Sequence, residues 1–274
     1  MEIPSHELEL GQSHEFTTLW MVFGGYEVTG GVLRRSRDDV VAAYAPIRRR
    51  ELPGELAKLT RGDEAAVICF AERYGQLGYD QLVGSDEARG GDPVDWVWTH
   101  AETIRICLHL TELLQEDLVE EVEPYLRSVA PPKEERQRVQ LLPSSLVIKF
   151  AAKGRVDTLE IAYEEKNGAS LARLVYRDLI NPNIDGIHRG LQGHGKDERS
   201  FFHFSALIEA AYWQLADIVE GGRVVRCEEC GALFPQTRKG QRYCPPQFRQ
   251  TESPCAQRAR VTRYNQRHGR QRRP

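Results

Sequence analysis

Apolar positions along the chain fall into a few distinct rhythms. Residues 15–27, EFTTLWMVFGGYE, mix aromatic and β-branched residues around a Gly-Gly break and read as strand material. Residues 62–78, GDEAAVICFAERYGQLG, place Ala66, Ile68, Cys69, Phe70 and Tyr74 at apolar positions of a helix, with Asp63 as its cap and Gly75 or Gly78 as its stop. A Gly/Asp loop at 84–92 leads into the longest helical pattern, 93–120, built on Trp96, Trp98, Ile104, Leu108, Leu113 and Leu114. Pro131 and Pro132 end that region or the helix after it. Residues 146–163 predict two strands around AAKGR. The stretch 180–199, INPNIDGIHRGLQGHGKDER, predicts exposed turns. An apolar helix is predicted over 201–219, ended by Gly221 and Gly222.

Charge changes the picture at that Gly-Gly. Residues 223–274 hold 13 Lys and Arg against 3 Asp and Glu, a balance of +10, whereas residues 1–222 hold 24 against 37. The chain's net charge of -3 therefore describes neither part. A basic tail on an acidic body points to a polyanionic partner, or to a tail that docks on its own body. The expected division is 1–222, an α-rich N-terminal domain with a few strands, and 223–274, a small C-terminal unit. The fold class is thus α+β.

The small unit carries Cys227, Cys230, Cys244 and Cys255. A CxxC turn puts two sulfurs on one ion, and two later cysteines complete the four tetrahedral ligands that zinc takes. Gly231 allows the tight turn after the pair, and Leu233 and Phe234 supply apolar contacts. So short a segment cannot bury a sufficient core alone, so metal binding is expected to supply much of its folding energy. A redox dithiol needs a βαβ neighbour that the pattern lacks, and disulfides are not expected without export. An iron–sulfur cluster is the other four-cysteine possibility, and the CEECG turn favours one structural Zn²⁺. Four thiolates leave no open ligand position, so the metal is expected to be a scaffold. Cys69 and Cys107 sit in helical patterns and are expected to be buried thiols.

Ser253 and Pro254 are a good cap and first residue for a helix with Cys255 in its first turn. On it Arg260, Arg263 and Arg267 share one stripe. Val261, Tyr264 and His268 form a second stripe, expected to pack on the cysteine turn. Arg258 stands apart, and Arg238, Lys239 and Arg242 add charge from the loop before Cys244. Arginines of one sign on an anchored helix suit phosphate and guanine contacts, although such a face is often only solvated.

These residues, CEECGALF…RYC…CAQRARVTRY, resemble the CGNR-type zinc finger of bacterial proteins. CAQR at 255–258 occupies the place of the tetrad, with Ala256 and Gln257 where the family has Gly and Asn. The span from Cys244 to Cys255 is longer than the family's. The resemblance covers about residues 226–268 and implies a treble-clef-like finger behind a helical domain, in a DNA-binding transcription regulator. Duplex DNA is then the expected partner, with RNA or a protein as alternatives.

The front domain shows no G-x-S-x-G, P-loop, H-E-x-x-H or strand–G-x-G-x-x-G–helix pattern. His188, His194 and His203 lie near Asp185 and Asp197 in no ligand spacing, which favours a polar loop over a metal or acid–base site. Trp96, Trp98 and Trp213 could line a small-molecule pocket or the core. The acidic run Glu116, Asp117, Glu120, Glu121 and Glu123 reads as solvated surface or as a dock for the tail. An effector-sensing or homodimerising domain is expected, with an enzyme recruited by the finger as the alternative. No segment approaches the ~18 apolar residues of a membrane span. The N-terminal MEIPSHELELGQSHEF lacks a signal pattern, so the expected compartment is the cytoplasm.

Overall fold

The computed structural model describes residues 15–16, 19–132, 145–162, 167–192 and 199–269. The chain runs β1 (Glu15–Phe16), β2 (Trp20–Thr29), β3 (Val32–Tyr44), a 3-10 turn (Pro46–Arg48), α1 (Leu52–Leu56), α2 (Glu64–Tyr74), α3 (Tyr79–Leu82), β4 (Asp92–Pro93) and α4 (Val94–Gln115). A second 3-10 turn (Val119–Glu121) precedes α5 (Val122–Ser128), β5 (Ser145–Ala152), β6 (Arg155–Ala162), α6 (Gly168–Ile184), β7 (His188–Gln192), β8 (Arg199–His203) and α7 (Leu207–Gly221). Then come β9 (Val224–Arg226), β10 (Leu233–Pro235) and α8 (Pro254–Gly269). The molecule mixes helix and sheet, with a cluster of four cysteines in its C-terminal region.

Helix α4 is central because most of its circumference is apolar. Trp96, Val97, Ala101, Ile104, Cys107, Leu108 and Leu110 are all buried, while Asp95, Glu102, Arg105, His109 and Glu112 keep one polar stripe along the helix. The β5–β6 hairpin and helices α1, α2, α6 and α7 all touch it. His100 lies in this core at 0% exposure, between the Tyr212 hydroxyl (3.0 Å) and the Lys153 carbonyl (3.3 Å). A carbonyl only accepts, so Nε2 carries the proton and Nδ1 accepts from Tyr212. Burial lowers the His100 pKa to about 3, the Lys153 carbonyl opposing it only in part.

The first strand pattern extends into a long hairpin. Gly30 and Gly31, at φ +61° and +74°, make a two-residue turn between Thr29 and Val32, and β2 pairs antiparallel with β3. Strand β3 has no apolar alternation to announce it, since Arg34, Arg35, Arg37, Asp38 and Asp39 are all exposed. Helix α2 starts where Asp63 accepts from the Ala66 amide at 2.9 Å. It stops at Gly75, where φ is +86° and a Cβ would lie 2.7 Å from the Met21 carbonyl oxygen. The next turn is held by Asp92, 1% exposed, whose carboxylate accepts from the amides of Leu77, Gly78 and Tyr79.

Three expected boundaries are corrected. The first part of the 180–199 stretch is the end of α6, with Pro182 inside the helix. Asn183 there is 1% exposed and fully used: it donates to the Ala151 and Leu179 carbonyls and accepts from the Lys153 amide. A residue that composition assigns to a turn is thus recruited by the β5–β6 hairpin. Residues 201–203 belong to β8, which pairs antiparallel with β7 and parallel with β1, so the apolar helix starts only at Leu207. The expected helix over 93–120 ends at Gln115. Cys107 is buried, as its position predicts; Cys69 is exposed on α2, against expectation.

Candidate metal centre

Strands β9 and β10 pair antiparallel around the CxxC turn. Cys227 donates to the Ala232 carbonyl and Gly231 to the Cys227 carbonyl, both at 2.9 Å, with Gly231 at φ +72°. The Glu228 amide bonds the Arg242 carbonyl at 3.0 Å, which draws the loop back and delivers Cys244. Cys255 arrives on the first turn of α8, where Ser253 Oγ accepts from the Ala256 amide at 3.2 Å. The four sulfurs lie within 4.8 Å of one another and could hold a metal ion. All four are free thiols, with Cys230 and Cys244 sulfurs 3.6 Å apart. Metal–sulfur bonds of about 2.3 Å in a tetrahedron place sulfurs about 3.8 Å apart, so the cluster matches that donor set.

The surroundings act unequally on the thiols. Burial raises the Cys227 thiol, but the backbone amides of Cys230, Cys244 and Glu229 outweigh it and bring it down to about 7. Burial raises Cys255 to about 11 and Cys244 higher, and the crowding of the other thiols adds to both. Four thiols this close ionise together only beside a cation. Two protein cations already approach. Arg258 Nη2 is 3.2 Å from Cys255 Sγ, and Lys58 lines the same cleft as Cys244 and interacts with it electrostatically. Burial disfavours the charge on Lys58, yet Glu55 and Cys244 raise its pKa overall. Lys58 pairs with Glu55, which is 6% exposed and also accepts from Gln247 at 2.9 Å.

The cysteine unit is packed on the residues that precede it. Phe248 buries its ring against Tyr44 (centroids 4.7 Å apart) and Tyr74 (6.3 Å), with the Arg49 guanidinium 4.5 Å from its centroid. Its amide donates to the Tyr74 hydroxyl at 3.3 Å. Val224, Leu233 and Phe248 join the same core as Leu52, Tyr74 and Leu110. Arg226 forks onto Glu112 of α4 and donates to the Gly231 carbonyl at 3.1 Å. The long span between Cys244 and Cys255 thus carries the plug that seats the unit. Sequence reasoning passed over Lys58, Glu55 and Phe248. Only the lone aromatic in the polar PPQFRQ loop signalled the third of them.

The seven basic residues divide into two sets. Arg242, Arg258 and Arg260 pair with Glu228, Glu229 and Glu252, which are all the acidic residues of the segment 223–274. Arg238, Lys239, Arg263 and Arg267 are exposed and make no ion pair among the described residues. Arg260, Arg263 and Arg267 keep a common face of α8. Val261 and Tyr264 do not pack on the cysteine turn: they are 52% and 62% exposed. The reason is that α8 docks only through its first turns, burying Cys255 and Ala259, and then leaves the body.

The other candidates stay apart. His188 and His203 face each other across β7 and β8, while His194 and Asp197 lie outside the described residues. Among the described residues no other group of three or more His, Cys, Asp or Glu side chains is placed to hold an ion. Glu116, Asp117, Glu120 and Glu121 are exposed, and Glu123 pairs with Arg127. Trp96 is in the core, and Trp213 lines a cleft. No helix among the described residues is long and apolar enough to cross a membrane. No family model, curated protein or solved structure matches the chain.

Proposed function

We propose that the protein is a zinc-dependent nucleic-acid-binding protein, a DNA-binding transcription regulator with a CGNR-type, treble-clef-like finger. The ion is one structural Zn²⁺ held by Cys227, Cys230, Cys244 and Cys255. A four-sulfur set with no oxygen or nitrogen donor favours zinc. The observation that carries the reading is the posture of α8. Its first turns are fixed to the cysteine cluster and every residue from 260 to 267 is exposed, with Arg260, Arg263 and Arg267 on one face. A rigidly held helix with an arginine face suits the major groove. Arg238 and Lys239 add phosphate contacts from the loop, and the pairing of Arg242, Arg258 and Arg260 with glutamates makes these three exchange one partner for another on binding.

A second reading, RNA, is favoured by one observation. Tyr264 exposes its ring on the same helix, and unpaired bases stack on such rings.

Metal analysis of the purified protein is expected to give one zinc per chain. Fluorescence anisotropy on a random duplex DNA, titrated with salt and run beside a single-stranded RNA of the same length, tests the partner. Affinity falling steeply with salt and favouring DNA supports the regulator. Absence of binding to either polymer at low salt ends the nucleic-acid reading.

A further inference from the structure

A cleft of about 420 Å³ opens where α7, the segment after the Pro46–Arg48 turn, and strand β10 meet. It lies away from the cysteine sulfurs and from the exposed part of α8, since none of those residues lines it. Its volume falls in the range of small-molecule sites, roughly 300–1,000 Å³. Trp213 and Asp217 come from α7, Arg50 from the segment after the 3-10 turn, and Arg223 and Thr237 from either side of the β9–β10 hairpin. Gln214 is a further lining residue.

We propose that this cleft binds a small aromatic carboxylate carrying a hydroxyl or N–H donor. Trp213 offers a flat apolar wall for a ring. Arg50 and Arg223 are exposed at the cleft and make no ion pair within 4.0 Å among the described residues. Among the lining residues two guanidiniums outnumber the one carboxylate, that of Asp217, on which Arg50 and the neighbouring Glu220 both act, and guanidinium forks match a carboxylate. Gln214 supplies the second requirement. It is 5% exposed, its Nε2 donates to the Pro46 carbonyl at 2.8 Å, and its Oε1 has no partner among the described residues. A buried acceptor left so costs about 1–3 kcal/mol; Oε1 is covered in the empty cleft, so a donor on the ligand relieves it when the side chain turns toward the ligand.

The walls of the cleft lie on both sides of Gly221 and Gly222. A bound ligand therefore ties α7 to the start of the cysteine unit. Ligand binding at the cleft requires no nucleic acid.

Isothermal titration calorimetry on the full, zinc-loaded chain tests it, with 4-hydroxybenzoate and indole-3-acetate as probes and 4-hydroxybenzyl alcohol as the uncharged control. The expected result is one-site saturable binding of at least one carboxylate below about 1 mM, with the alcohol at least about tenfold weaker. Arg50→Ala and Arg223→Ala are each expected to weaken the carboxylate about tenfold or more. Both side chains are exposed, so the variants keep the parent's circular dichroism. Trp213→Leu is expected to weaken it similarly. No saturable heat from either carboxylate up to about 10 mM, equal binding of the alcohol, or undiminished binding in both arginine variants overturns the proposal.

Discussion

At the scale of single residues, two side chains have consequences that can be measured. Phe248 is 7% exposed between Tyr44 and Tyr74, so Phe248→Ala leaves a hole in a shared core. The expected loss is about 3–5 kcal/mol in urea unfolding of the zinc-loaded chain. His100 makes stability depend on pH. Its folded pKa of about 3 lies below the ordinary 6.5. Between those values the unfolded chain binds a proton that the folded chain refuses, so stability is full above pH 6.5 and falls as pH drops, by ~1.4 kcal/mol per unit. Burial raises Asp92 to about 6, which acts in the opposite sense, with stability lost as pH rises toward that value. Comparing the parent with His100→Gln isolates the histidine. The variant's unfolding free energy, followed from pH 6 to 4.5, is expected to lack the descending contribution. Arg260 and Arg263 belong to the same scale: their double alanine variant is expected to reduce the slope of log affinity against log salt by about 2, at ~0.9 per phosphate contact. An unchanged slope removes this face from the interface.

At the scale of elements, what was readable in the chain follows from whether an element is set locally. Helix α2 is, with Asp63 at one end and Gly75 at the other, and so is the start of α8, with Ser253, Pro254 and Cys255 in succession. The four cysteines announce their own proximity by spacing. Strand β3 was not readable, because its middle is a run of exposed charged residues held by the β2 partner. The end of α6 was not readable either, because Asn183 and Pro182 suit a turn until β5 supplies Asn183 with partners. The exposure of Val261 and Tyr264 has a similar cause: periodicity shows that they share a stripe, but not that the body ends beneath it. That posture yields a prediction. Removing residues 263–274 takes away no residue found buried, so zinc content should be unchanged and stability should move by no more than about 0.5 kcal/mol. Nucleic-acid binding should be lost. Retained affinity would place the contact surface outside residues 263–274.

At the scale of the whole molecule, the cysteine unit and the body share one core. A zinc finger joined by a linker would melt alone when its metal is removed. Here Val224, Leu233 and Phe248 pack with residues of α1, α2 and α4, and Lys58 and Glu55 reach from the body to Cys244 and Gln247. Loss of the metal would leave four close thiols beside the half-buried Lys58–Glu55 pair and release the loop that seats Phe248. The expected outcome is that a chelator lowers the stability of the entire chain. A metal present at a thousandfold excess over its dissociation constant contributes about 4 kcal/mol that then disappears. Scanning calorimetry of the zinc-loaded chain should show one transition, shifted down as a whole after chelation. Hydrogen exchange should show lost protection in α1 and at the end of α2 as well as in β9 and β10. If exchange instead rises only after residue 222, the metal supports the C-terminal unit alone, and the contacts around Phe248 persist without it.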